Sequence, residues 1–347
     1  MSNKDIFFKR ENRKVVAVKL TKSDRLKVKK KIDKILKEKK EIIPKKYLKK
    51  IEDISLYHPE GNIAKAEAII LDPDDGAFST ANKLNELTGK EWTKFTSSWF
   101  IFNALRSDIK EEQEITSRFK LNSDEHPATF SPTMISNFIS FFTKSGQSVI
   151  DPFAGIGTTL VACQRTKRKG IGIELNKKYF KIAKVRTNQK IFNGNSLEID
   201  DILTKNKIKN IDFCITSPPY WNVLNRSTGG FKNKREEKKL DYTYSNKEKD
   251  LGNIDNYDDF IDKLVNIFVG LKKFLKKDAY VIVILKNVKK GGKNYPIAWD
   301  FAKKMSNIYT LKDEKIWCQD KVGLAPFGYP YAYTTNIHHH YCLVFRN

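Results

Sequence analysis

From about residue 132 onward, short apolar runs alternate with stretches of helical period, and this alternation limits the fold more than any other feature of the chain. "SVID" precedes a helix expected to begin near Thr158, and "GIGIE" precedes "NKKYFKIAKVR". "FCITS" leads through a loop to "YDDFIDKLVNIFVGLKKFL", and "AYVIVIL" leads to "PIAWDFAKKM". "EKIWCQ" and "HHYCLVFR" follow as two more strands. Strands joined through helices run parallel and have both faces covered, so the expected fold class is α/β, a doubly wound and mostly parallel sheet. Ligands of such sheets bind just beyond the carboxyl ends of the strands.

Residues 1–121 follow a different pattern. About two-fifths of the first fifty residues are Lys or Arg, as in "LKVKKKIDKILKEKK". The whole chain carries 65 basic against 41 acidic residues, a formal charge of +24. Charge of that size repels itself in a compact state and points to a polyanionic partner. A general preference for Lys would explain the total but not the clustering. An anionic membrane surface is the other candidate, yet Val28, Ile32, Ile35 and Leu36 form a narrow apolar stripe without Trp or Phe,. That stripe is expected to pack on the protein's own body with the lysines outward. Further on, Ser79 and Gly89 are expected to start and stop a short helix. A second helix would carry Trp92, Phe95, Trp99 and Phe102 at a spacing more typical of core than of base stacking,. The expected organisation is a basic, mainly helical N-terminal region over 1–121 and a second domain over 122–347.

The four cysteines, Cys163, Cys214, Cys318 and Cys342, form no CxxC pair and read as buried apolar residues of a reducing compartment, with no zinc site,. No run approaches the roughly 18 apolar residues of a membrane span. The first residues, "MSNKDIFFKRENRK", lack a signal-peptide core,. A soluble cytoplasmic protein is expected.

"VIDPFAGIGTTLVA", residues 149–162, puts an acid and a glycine-rich turn where a strand meets its helix. Gly155 and Gly157 let backbone approach a ligand closely, at a helix N-terminus. A tight turn without a ligand would look similar. "GIGIELN" separates the two readings, because it ends a second strand in Glu174, about twenty residues beyond the glycines, where a carboxylate can bind ribose hydroxyls,.

"DPFAGIGTT" resembles the AdoMet-binding motif of the DNA amino-methyltransferases, which methylate N4 of cytosine or N6 of adenine. "HPATFSPTMISNFISFF" resembles the segment that closes over the cofactor in the same family. The resemblance covers residues 122–347 and implies a seven-stranded, Rossmann-like methyltransferase sheet with S-adenosyl-L-methionine as cofactor. It places Asp151, Phe153, Gly155, Gly157, Thr158 and Thr159 at the methionine end, Glu174 at the ribose, and Phe130 with Ser131 over the cofactor. Asn195 stands where the family more often has an aspartate near the adenine amine, and its side-chain oxygen can accept that hydrogen bond.

"FCITSPPYWNV" then acquires a purpose. The exocyclic amine of cytosine or adenine is a poor nucleophile because its lone pair is delocalised into the ring. Two acceptors gripping its two hydrogens would return and aim that lone pair. Ser217 offers a side-chain oxygen. Pro218, followed by Pro219, is biased away from helical geometry and can turn its carbonyl into the cavity. Tyr220 supplies an aromatic face for a base swung out of the duplex, with Trp221 expected as a second wall. In the family it resembles, a Ser in the first motif position, in place of Asp or Asn, implies N4 of cytosine, with N6 of adenine as the alternative. No Pro-Cys nucleophile supports a C5-cytosine reaction.

The reading is a site-specific DNA methyltransferase acting in DNA modification, with double-stranded DNA and a cognate restriction endonuclease as candidate partners. An RNA N-methyltransferase and a catalytically inactive AdoMet- and DNA-binding protein are the competing readings. Target recognition would fall to residues 1–120, to the basic loop 225–249, or to a partner chain. "GLAPFGYPYAYTTNIHHH", residues 323–340, is a second aromatic loop expected on the same side of the sheet. His338, His339 and His340 enter a strand on alternating faces, an arrangement poorly suited to holding a metal.

Overall fold

The computed structural model describes residues 6–12, 14–48, 54–72, 76–119, 130–222, 251–321, 323–326 and 328–347. The chain forms two compact units, Met1–Ser97 and Ser98–Asn347.

The first unit is built on a sheet. Its elements are β1 (Phe7–Glu11), β2 (Lys14–Ala17), α1 (Lys22–Lys39), α2 (Lys45–Leu48), β3 (Ile54–Tyr57), β4 (Glu67–Asp72), β5 (Gly76–Ala77) and α3 (Gly89–Lys94). The strands lie in the order β2-β1-β3-β4-β5. The mainly helical region expected from the lysine-rich sequence is therefore a five-stranded sheet carrying one long helix. The physical reason lies in α1. Its N-terminus is capped by Thr21, whose hydroxyl accepts from the Asp24 N–H at 3.1 Å. Its stripe Val28, Ile32 and Ile35 needs an apolar partner and buries against Phe7, Ile54, Leu56, Ala68 and Ile70. The expected helix from Ser79 to Gly89 is absent. Gly89 instead opens α3, because Thr88 and Glu91 close a capping box around it,. The aromatic helix is cut short: α3 holds Trp92 and is capped at Phe95, while Trp99 lies in a strand and is 58% exposed.

The second unit contains β6 (Trp99–Ile101), α4 (Arg106–Arg118), α5 (Pro132–Phe142), β7 (Ser148–Asp151), α6 (Thr158–Arg165), β8 (Lys169–Glu174), α7 (Lys177–Arg186) and β9 (Lys190–Asn193). It continues with α8 (Ile199–Lys205), β10 (Ile211–Thr216), α9 (Tyr257–Lys272), β11 (Leu275–Leu285), the hairpin β12 (Val288–Lys290) and β13 (Lys293–Tyr295), α10 (Ile297–Met305), β14 (Thr310–Cys318) and β15 (His339–Arg346). The main sheet has the order β6-β14-β15-β11-β10-β7-β8-β9. From β11 to β9 every pairing is parallel, while β15 is antiparallel to both β11 and β14. This is the doubly wound sheet read from the alternation. Its eighth strand, beyond the seven expected, is β6, which pairs parallel to β14.

Alternation along the strands sorts the two cores. Ile282 and Ile284 of β11 join Phe213, Ile215 and the apolar face of α5, Met134, Ile135, Phe138 and Ile139. Val281, Val283 and Leu285 face the other way, onto Phe260, Leu264 and Phe268 of α9 and Phe301 of α10. The topology reverses between β7 and β10. The chain runs outward through β8 and β9, then crosses back to the far side of β7.

The units divide upstream of the expected boundary at 121/122, because α4 is tied to the second one. Asp108, at the start of α4, has its side chain 2% exposed and accepts from Arg165 Nη1 at 2.8 Å. It also accepts from the hydroxyls of Ser131 and Thr133. Glu111, one turn on, pairs with Arg165 and Arg186. Asp108→Ala should lower stability by about 2 kcal/mol, since it strands buried donors and half of an ion-pair network. Urea unfolding should show a lower midpoint at an unchanged slope, and an unchanged midpoint would remove Asp108 from this account.

Candidate active site

The turn after β7 is built for close approach. Gly155 and Gly157 have φ of +54° and +89°, in the left-handed region. A Cβ on Gly157 would lie 2.9 Å from Ala183 Cβ, so only glycine lets α7 pack behind the turn,. Glu174, ending β8, accepts from Gly155 N–H at 2.8 Å and from Asn176 N–H at 2.7 Å. Each of its two carboxylate oxygens thus takes a backbone donor. Asn195, after β9, accepts from Leu197 N–H at 3.1 Å.

Asp151 holds the next strand in place. Its carboxylate is buried and accepts from Thr159 Oγ1 at 2.5 Å, Thr216 Oγ1 at 2.5 Å and Phe153 N–H at 2.9 Å. Burial pushes its acid up, and the three hydrogen bonds pull against that shift,. Thr216 is the last residue of β10, so the bond seats Ser217 beside the glycine turn.

Two neighbouring cavities result. Phe153, Gly155, Glu174, Asn195, Ser217, Pro218 and Pro219 line the first. The second is lined by Phe130, Asp151, Phe153, Gly155, Thr158, Thr159 and Ser217 among others. Phe153, Gly155 and Ser217 border both. Three of the residues expected here stand elsewhere. Gly157 supports the turn from behind, against Ala183. The Ser131 hydroxyl donates to Asp108 instead of reaching over the cavity. Trp221 is not a second wall beside Tyr220. It has φ +58°, is 4% exposed, and packs between Tyr257 and Tyr295 with the Lys290 ammonium 4.0 Å from its ring centre.

The wall beside Tyr220 comes from the antiparallel pair β14 and β15. The Tyr220 hydroxyl lies 3.0 Å from Ser217 Oγ, and its ring centre lies 5.8 Å from that of His340. His340 stacks on Trp317 at 4.6 Å, and Phe130 leans on Trp317 at 5.4 Å. His340 is 7% exposed, and its buried Nδ1 has no hydrogen-bond partner among the described residues. Burial, then the charge of Lys286, then His339, lowers its pKa from 6.5 to about 3, so it is neutral. Lys286, just past β11, is itself pushed down by burial. Sequence reasoning missed Thr216, Lys286 and the role of Trp317. Thr216 was adjacent to the noted motif, but nothing local marks Lys286 or Trp317. The basic loop 225–249 lies outside the described residues.

A family model described as DNA methylase, of the N6/N4 methyltransferase type, matches residues 3–185. The chain belongs to the DNA methylase family. The matched span includes the glycine turn and Glu174 and ends before Ser217. Relatives include the Type II methyltransferase M.HpaI of Haemophilus parainfluenzae, 37% identical over 73 residues, 21% of this chain and 23% of that protein. M.Cfr9I of Citrobacter freundii is 48% identical over 58 residues, 17% of this chain and 19% of its own. M.SmaI of Serratia marcescens is 33% identical over 98 residues, 27% of this chain and 34% of its own. The matches thus span about a fifth to a third of those relatives. Among solved structures, a TehB-like SAM-dependent methyltransferase from Corynebacterium glutamicum aligns over 68% of this chain and 97% of its own, at a TM-score of 0.37 and 11% identity. A methyltransferase from Pyrococcus furiosus aligns over 69% of this chain and 94% of its own, at 0.36 and 14%.

The cofactor that goes with the family is S-adenosyl-L-methionine, and the residues of this DNA methylase fit it. Glu174 puts a carboxylate, the group that binds ribose hydroxyls in such sites, on the cavity lining, the left-handed Gly155 leaves backbone within reach, and Phe153 with Leu175 offers apolar surface,. No helix among the described residues is long and apolar enough to cross a membrane.

His340 makes stability depend on pH. Between its folded pKa of about 3 and its ordinary 6.5, the unfolded chain holds a proton that the folded chain refuses. Stability therefore falls as pH drops through that window, by up to about 1.4 kcal/mol per pH unit. His340→Phe keeps a ring against Trp317 and should flatten the fall in urea midpoint between about pH 6.5 and about pH 4.5. An equal fall in both proteins would contradict the buried neutral imidazole.

Proposed function

We propose that the chain is a site-specific DNA methyltransferase that methylates the exocyclic amine of a base swung out of the duplex, N4 of cytosine in preference to N6 of adenine. The observation that carries this is the seating of Ser217 and Pro218 at the end of β10, on the same cavity as Phe153, Gly155 and Glu174. The basic charge of +24 suits a DNA substrate, and the Type II relatives suggest a role in restriction-modification,. The serine that opens "SPPY" leans towards cytosine.

S-adenosyl-L-methionine, when bound, supplies an electrophilic methyl group on its sulfonium. Phe130, Asp151, Phe153, Gly155, Gly157, Thr158, Thr159, Glu174 and Asn195 form or support its site, with Glu174 on the ribose. Ser217 Oγ and the Pro218 carbonyl accept the two amine hydrogens, which draws the lone pair onto nitrogen and aims it. The Tyr220 hydroxyl holds the Ser217 hydroxyl in orientation, and the Tyr220 ring stacks on the base,. Pro219 biases Pro218 away from helical geometry, which leaves that carbonyl turned towards the cavity.

Tritiated S-adenosyl-L-methionine should label duplex DNA from a methylation-free host and leave bulk tRNA unlabelled. Modification-aware sequencing then reports base and context. Ser217→Ala should cut turnover by about a hundredfold, and Tyr220→Ala by at least about tenfold, with cofactor binding retained in both. Label entering tRNA alone, or a Ser217→Ala enzyme as fast as the parent, would overturn the reading.

A further inference from the structure

Between β14 and β15 the chain makes a long excursion, residues 319–338. β10 and β11 are parallel, and β15 is antiparallel to both β11 and β14. The carboxyl end of β14 therefore lies on the side of the sheet where β10 delivers Ser217. The excursion returns into β15 at His339 and His340, and His340 touches the Tyr220 ring. It rises, in other words, from the wall of the candidate active site.

The described part of this excursion is braced. Asn336 joins its two limbs, donating to the Ala325 carbonyl at 2.9 Å and accepting from Ala325 N–H at 3.2 Å. Lys289 donates to Thr334 Oγ1 at 2.7 Å and to the Thr335 carbonyl at 2.6 Å. At the tip, the Gly328 carbonyl accepts from both Tyr331 N–H and Ala332 N–H at 2.7 Å. Gly328 has φ +81°, and a Cβ there would come within 2.5 Å of the Ala332 carbonyl oxygen.

Yet this braced segment holds three tyrosines in water. Tyr329 is 81% exposed, Tyr331 is 94% exposed, and Tyr333 is fully exposed. A patch of this kind marks an interaction surface, and fixing it beforehand lowers the ordering cost of binding. The neighbouring cations Lys289 and Lys321 are exposed, and the whole chain is strongly basic, which matches a phosphate-rich partner. Every base has a face on which tyrosine can stack, and side chains that wedge between base steps stabilise opened DNA.

We propose that the Tyr329–Tyr333 segment enters the duplex beside the target base and stacks on the bases that extrusion leaves exposed, holding the gap open. This rests on the reading that the chain methylates an extruded base, and adds a residue set that acts on the DNA, not on the amine. Methylation of a normally paired duplex should then need the tyrosines. Methylation of the same duplex with the target base mispaired should need them far less, because extrusion of a mispaired base costs little.

The test compares the full chain with its Tyr329→Ala, Tyr331→Ala, Tyr333→Ala triple variant in single-turnover methylation of those two duplexes. The side chains are exposed, so folding should survive, and circular dichroism checks this. The expected result is at least about a tenfold loss on the paired duplex and less than about a threefold loss on the mispaired one. Equal losses would make the loop a general DNA contact and overturn the proposal. No loss on either would do so too, and would leave the patch for a protein partner. A parent chain that methylates neither duplex would instead defeat the function proposed above. In a second readout, 2-aminopurine next to the target should brighten less with the parent than with the triple variant, and equal brightening would count against stacking.

Discussion

The Asp151 carboxylate is buried, and water cannot satisfy it. Its acceptor directions are answered instead by the Phe153 N–H and the hydroxyls of Thr159 and Thr216. Those three groups belong to the glycine turn, to α6 and to the end of β10. One desolvated acid thus ties together the three segments that must keep their spacing for any transfer between a cofactor and a clamped amine. In a low-dielectric interior each of these bonds is stronger than in water, and leaving one unmade is costly. The positions of Ser217 and Gly155 depend on this junction more than on anything in their own loops.

The aromatic surroundings of Tyr220 show how tertiary structure reassigns residues. Trp221 follows Tyr220 directly and looks like a partner wall. Its left-handed backbone turns the chain, and its ring goes into the core with Tyr257 and Tyr295. The wall is made instead by His340 on Trp317, backed by Phe130. Two antiparallel strands, β14 and β15, bring Trp317 and His340 to the end of β10. The same two strands carry the braced tyrosine loop to that side of the sheet, so one strand pair serves both the pocket wall and the exposed aromatic surface.

Much of the second unit was readable from periodicity. Every strand and helix quoted from residue 148 onward forms where the alternation put it, because each apolar run must be buried on both faces of a doubly wound sheet,. The first unit was misread for a physical reason as well. Lysines on α1 dominate its composition, whereas the runs that build its sheet, "FFKRE", "ISLY" and "AEAIILD", are short and widely separated. The capping box at Thr88 and Glu91 was present in the sequence, and it outweighed Gly89 as a stop signal,.

Local patterning was enough for the elements whose residues carry their own instructions: the parallel strands, the glycine turn that only glycine can make, and the Pro-Pro pair that ends β10. Contacts between residues far apart in the chain had to come from the folded sheet. Ser131 turning to Asp108, Thr216 reaching Asp151 and His340 meeting Tyr220 each join segments separated by about twenty residues or more, and no period or spacing encodes them,. Strand order decides those meetings, because it fixes which strand ends become neighbours across the point where the topology reverses,.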